Sequence, residues 1–163
     1  MPTSSQTDSA QRLGRETSTD NRILCEDPRT LVVPIIIRSC AERAGFLQTL
    51  LQQIPDAIVA YDTAHNAFET FLDACRLVEN RPALHMEDDV ILTAHFVTKA
   101  QAFIRTRPEN VIQFFSMRKA DLTIGSRSEP GRSFLMGQCF YLPSGVSRDL
   151  LAFATSWTRR KEH

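Results

Sequence analysis

No apolar run in the 163-residue chain approaches the roughly 20 residues that span a bilayer. The longest, Leu31 to Ile37, is the size of a strand and is interrupted by Pro34. Charge of one sign is missing too: Lys and Arg total 19 and Asp and Glu total 19, for a formal net charge of zero. Without a positive field, sequence-independent nucleic-acid binding, which rests on neutralising phosphates, is not indicated. The four cysteines, Cys25, Cys40, Cys75 and Cys139, are scattered and include no C-x-x-C pair. That pattern argues against a zinc knuckle or a disulfide framework and for reduced thiols, with Cys75 and Cys139 packed as small apolar groups. There is no G-x-x-x-x-G-K-[ST] loop, no G-x-G-x-x-G turn and no G-x-S-x-G elbow. P-loop, dinucleotide-binding and serine-hydrolase readings therefore fall away. The polar stretch from Met1 to Asn21 has no hydrophobic h-region, which predicts no secretory signal and a cytoplasmic protein.

What is present is a length suited to one domain and a periodicity that switches regularly. Residues 1–29 are dominated by Ser, Thr, Gln, Asn, Asp and Arg with no apolar period, and read as a disordered or loosely docked polar tail. The folded domain is expected over 30–163. Leu31 to Ile37 is a β-branched run of the kind found in a strand buried on both faces, with Pro34 either forcing a bulge or moving the strand to Ile35–Arg38. Phe46, Leu47, Leu50, Leu51 and Ile54 fall at helical spacing, closed by Pro55. A strand over 57–61, a helix carrying Ala67, Phe68, Phe71, Leu72 and Cys75, and a strand over 83–86 follow. Thr93 is placed to cap a further helix bearing Phe96, Val97, Ala100, Phe103 and Ile104. Strands over 111–115 and 137–143 flank an Arg-, Ser- and Gly-rich stretch from Arg118 to Ser133, and a last helix runs from Ser144 to about Ala154. Alternation of this kind predicts an α/β sandwich around a mostly parallel sheet.

In such sheets ligands bind beyond the carboxyl ends of the strands. Arg38-Ser39, Tyr61-Asp62 and Glu87-Asp88-Asp89 all fall at strand ends of this kind. Three consecutive carboxylates repel one another, and a divalent cation with hard oxygen ligands, Mg²⁺ or Mn²⁺, would remove the conflict. On an extended backbone Glu87 and Asp89 would point to one side and Asp88 to the other. The bland alternative is that the triplet caps the following helix or pairs with Arg38 and Arg81.

The segment Leu84-His85-Met86-Glu87-Asp88-Asp89-Val90 resembles the L-x-x-E-D-D-V element of the lipooligosaccharide-type glycosyltransferases, family 25, which have a GT-A fold. Two weaker pieces follow the same order. Ile35-Ile36-Ile37-Arg38-Ser39-Cys40-Ala41-Glu42-Arg43 is similar to that family's first strand and Arg-containing turn, though its usual Asn is absent. Gly137-Gln138-Cys139-Phe140-Tyr141-Leu142-Pro143, with the helix through Asp149-Leu150-Leu151, is similar to its later strand and helix. The likeness covers roughly residues 31–154 and implies a GT-A-like three-layer α/β/α sandwich in one compact domain. It implies transfer of a sugar from a nucleotide-sugar donor to a hydroxyl of a glycan, a lipid-linked molecule or another acceptor, assisted by Mn²⁺ or Mg²⁺. Carried over, Asp89 and Glu87 would hold the metal, with Glu87 also near the donor ribose and Asp88 at the sugar or a ligating water. Arg38, Ser39, Arg43, Tyr61 and Asp62 would line the donor. The base is not selected by sequence; Asp88, Asp121, Glu129 and Asp149 are candidates. Members of the family usually continue beyond the point at which this chain stops.

Two rival readings stay open. His85, Glu87, Asp89 and His95 could form a metal-dependent hydrolase set, since positions 85, 87 and 89 share a strand face. Alternatively, the chain is a catalytically silent glycosyltransferase-like interaction module, with the Arg118–Arg132 stretch and the basic Arg159-Arg160-Lys161 end meeting an acidic partner.

Overall fold

The computed structural model describes residues 32–115 and 137–161. The tail over 1–29, the Arg118–Ser133 stretch with Asp121 and Glu129, and the side chains of Arg159, Arg160 and Lys161 lie outside the described residues.

The first strand, β1 (Ile35–Cys40), begins immediately after Pro34. The proline has no N–H to give a ladder, but its carbonyl accepts from Leu84 N at 3.0 Å, so it sits at the strand's entrance rather than inside it. A short 3₁₀ turn (Ala41–Arg43) leads into α1 (Ala44–Gln53), and β2 (Ile58–Asp62), α2 (Ala67–Val78) and β3 (Ala83–Glu87) follow. Then come α3 (Phe96–Thr106), β4 (Ile112–Gln113), β5 (Cys139–Leu142) and α4 (Val146–Lys161). The last helix continues past Ala154, and the strand expected over 111–115 pairs over two residues only. Thr93 is not the side-chain cap of α3. His95 holds the preceding position at a φ of 60°, and Thr93 contributes its carbonyl to Phe96 N at 3.0 Å.

The sheet order is β2-β1-β3-β5-β4. β1 is parallel to both β2 and β3, whereas β5 runs antiparallel to β3 and to β4. The mostly parallel α/β sheet expected from the alternation is therefore present, with one reversed strand next to the central one.

Successive side chains leave a strand on opposite faces, so each strand feeds two cores. Ile35 and Ile37 of β1, Leu84 and Met86 of β3, and Cys139 and Tyr141 of β5 pack with Leu50 and Ile54 at α1 and Ala100 and Ile104 of α3. On the other face, Ile36 and Ala60 meet Ala74 and Val78 of α2, and Phe140 and Leu142 meet Cys75 and the apolar side of α4. Burying each of Ile36, Ile37, Leu84 and Met86 completely contributes about 1.5–3 kcal/mol before entropy is counted. The first core is tied to the strand entrance by Gln101 of α3, whose side chain accepts from Val33 N at 3.1 Å and donates to Val33 O at 2.9 Å.

Candidate functional site

Arg38 and Glu87 are register partners on β1 and β3, on the face that α2 and α4 cover. The Arg38 guanidinium donates through Nη2 to Glu87 Oε1 at 3.3 Å and also to the carbonyl of Gly137, where the chain turns into β5. Its carbon lies 5.5 Å from the Phe71 ring centre and 5.6 Å from that of Phe140. Burial pushes the Arg38 pKa down, and the adjacent Glu87 carboxylate opposes the shift. At 12% side-chain exposure, Arg38 is a largely buried clamp that ties β1 to Glu87 of β3 and to the approach to β5. The aromatic pair flanking it was not read from the sequence; Phe71 and Phe140 looked only like core residues.

The chain departs from strand geometry after Glu87, and that changes how the acidic triplet is arranged. Asp88 and Asp89 form a turn, so the two-residue alternation that would set Glu87 beside Asp89 stops. Asp88 and Asp89 instead share one guanidinium nitrogen: Arg43 Nη1 donates to Asp88 Oδ1 at 3.1 Å and to Asp89 Oδ2 at 3.2 Å. Both carboxylates raise the Arg43 pKa, Asp88 most. The Asp88 backbone N–H donates to Arg38 O at 3.1 Å, which seats the turn against the end of β1. The side chain of Asp88 is wholly buried, that of Asp89 is 40% exposed and that of Arg43 is 44% exposed. Among the described residues Asp88 Oδ2 has no hydrogen-bond partner. An orphaned carboxylate oxygen costs several kcal/mol when shut away from water, so this atom marks a place where positive charge or a donor would be stabilising.

The other expected site residues divide. Ser39 is buried, and its hydroxyl reaches only the neighbouring Cys40 carbonyl at 3.4 Å. Asp62 spends Oδ1 on the backbone N–H groups of Ala64 and Asn66, each at 3.0 Å, and the Asn66 contact is the main reason its pKa is lowered. It holds the loop into α2. Tyr61 is exposed at the same edge, opposite Ser39 in register. Asp149 is not brought to the triplet. β5 runs antiparallel, so α4 starts near Asn80, at the amino ends of the parallel strands, and Asp149 is exposed there beside Arg148.

The hydrolase set does not assemble. His85 is completely buried between Ile36 and Phe140, and burial lowers its pKa to about 3, with Arg38 adding to the shift. His95 is exposed at the start of α3.

No family model, no curated protein and no solved structure matches the chain. Among the described residues no three His, Cys, Asp or Glu side chains form a group disposed around a metal ion. A Mg²⁺-like cation needs less from a protein when phosphates complete its shell: one or two carboxylates suffice. The Asp88–Asp89 pair, with two hard oxygens meeting at one point and a third unpartnered, fits that requirement. Glu87, held by Arg38, does not meet the two aspartates at Arg43 and stands apart from that pair.

Proposed function

We propose that this chain is a metal-dependent glycosyltransferase with a GT-A-like sandwich fold, moving a sugar from a nucleotide-sugar donor to an acceptor hydroxyl. The reading is supported chiefly by one observation: a buried, half-satisfied aspartate and its exposed neighbour converge at the carboxyl ends of β1 and β3, where α/β sheets bind ligands. The resemblance around Glu87-Asp88-Asp89 agrees with it. Asp88 and Asp89 would hold Mn²⁺ or Mg²⁺ together with the donor diphosphate. When bound, the cation supplies Lewis-acid stabilisation of the departing nucleoside diphosphate. Arg38 acts as a positioning residue, holding Glu87 and the entrance of β5 so that the turn at Asp88 keeps its place. Arg43, 44% exposed beside the aspartates, would meet the diphosphate, and Tyr61 offers an exposed ring at the same edge.

The competing reading is a catalytically silent relative that acts through protein contacts. One observation favours it: Glu87, Asp88 and Asp89 each already accept from an arginine.

Calorimetric titration with UDP-, GDP- and CMP-sugars, each with and without Mn²⁺, separates the two. Metal-dependent binding of one donor that disappears in Asp89→Ala supports the transferase. A folded protein that binds none of them overturns it in favour of the silent relative.

A further inference from the structure

The charges at the turn do not balance. Glu87 is matched by Arg38, whereas Asp88 and Asp89 together face the single charge of Arg43. Among the described residues Arg43 donates to them through Nη1 alone, so the planar fork that makes an arginine–carboxylate pair strong is used on one prong only. The two sides of the contact also differ in their access to water. Asp88 is sealed, and one of its oxygens is left over; Arg43 is nearly half exposed on the last residue of the 3₁₀ turn. Two residues further on, a Cβ at Gly45 would meet nothing within 4 Å, so the start of α1 has open space. The arginine has somewhere to go, and the aspartate has not.

We propose that Arg43 is a placeholder cation, occupying the Asp88–Asp89 pair in the free protein and swinging outward when a divalent cation takes its position. The inference rests on the metal reading of that pair given above. A dication matches two carboxylates in charge and offers Asp88 Oδ2 the partner it lacks. The released guanidinium carries its charge to the solvent side of the site, where a diphosphate would lie. Metal affinity is therefore set by competition with an internal arginine, and loss of the arginine strengthens it.

The test uses the full chain and Mn²⁺, without and with UDP to complete the shell, with free Mn²⁺ followed by electron paramagnetic resonance against protein-free controls. Arg43→Gln is expected to bind Mn²⁺ about fivefold more tightly than the parent or better, the scale set by the loss of one competing ion pair. Asp89→Asn is expected to abolish binding in either background. A second arm follows the Arg43 Nε–Hε resonance of the parent, assigned by its loss in Arg43→Lys, on addition of diamagnetic Mg²⁺. Displacement moves that resonance toward the position of a free guanidinium. This arm decides the matter if Arg43→Gln fails a circular-dichroism check of folding. Parent and Arg43→Gln binding Mn²⁺ equally, or an Arg43 resonance unmoved at saturating Mg²⁺, overturns the placeholder while leaving the metal site standing. No Mn²⁺ binding by parent or variant, with UDP present or absent, overturns the metal site itself, and the placeholder with it.

Discussion

The imidazole of His85 stacks on the ring of Phe140, with centroids 5.3 Å apart and planes 7° from parallel, and among the described residues neither ring nitrogen has a hydrogen-bond partner. Phe71 closes the site at 6.3 Å, and the Arg38 guanidinium lies across the same two phenyl rings. A neutral imidazole suits such a place; an imidazolium does not, because it would be dry and next to a second cation. Burial, with help from Arg38, takes the pKa down to about 3 from an ordinary 6.5.

The unfolded chain therefore binds a proton at His85 between pH 6.5 and 3 that the folded chain refuses. Stability is full above the unfolded value and is lost as pH falls through this window, by about 3 kcal/mol at pH 4.5. His85→Phe removes both orphaned nitrogens and the titration. Urea denaturation at pH 7.5 and 4.5 should show the variant losing about 3 kcal/mol less than the parent on acidification. An identical loss in the two proteins would refute the assignment.

Arg38→Met is expected to destabilise the fold by about 3 kcal/mol, since it strips Glu87 and the Gly137 carbonyl of their shared donor. Arg38→Lys should recover less than half of that. A compact ammonium has no broad delocalised cation to set against the Phe71 and Phe140 rings. Denaturant midpoints of the three proteins check both statements, and full recovery by lysine would mean that charge alone matters.

Gln101→Leu is near in size but leaves the N–H and carbonyl of Val33 unpaired in a buried position. Two such groups cost about 2–4 kcal/mol. The effect should appear in amide exchange as lost protection at Val33 and along β1, ahead of α2. Uniform loss of protection would contradict a local clamp.

The loop between β2 and α2 depends on two short polar side chains. Asn66 caps α2 by accepting from Glu69 N at 3.2 Å, and Asn66→Ala should cost about 1 kcal/mol. Asp62 is held below the usual carboxylate range by the backbone N–H groups it accepts from, so its contribution is present at neutral pH and lost on acidification. Asp62→Ala should expose the amides of Ala64 and Asn66 to rapid exchange at pH 7. Unchanged protection there would show that the loop is held by something else.

Much of the framework was legible along the chain. Pro34 marks the start of β1 because a residue without an N–H is tolerated at a strand's first position and not in its middle. The apolar spacing of Ala67, Phe68, Phe71, Leu72 and Cys75 announces α2, and Glu87 ends a run of buried residues as a charged residue should. Helical spacing was less reliable about what faces inward: Phe46 and Phe68 keep the period of their helices yet are 60% and 55% exposed. Periodicity identifies a stripe, but the width of sheet beneath it decides how much of the stripe is covered. Nothing in Cys139-Phe140-Tyr141-Leu142 announces that this strand runs backwards. That reversal, supplied by the topology, carries Asp149 to the edge away from the acidic turn.

By itself the sequence determined the order and type of the elements, the two-faced burial of the strands and the position of three carboxylates at a strand end. These are properties of consecutive residues, governed by periods of 2 and 3.6 and by local backbone chemistry. Only the tertiary structure decided which charge meets which. The turn after Glu87 cancels the alternation that would have joined it to Asp89. Strand adjacency hands Glu87 to Arg38, and Arg43, 45 residues before Asp88, closes over the aspartates. Such pairings depend on which strands become neighbours and on how far water is excluded around each group, and neither quantity is defined until the chain has folded.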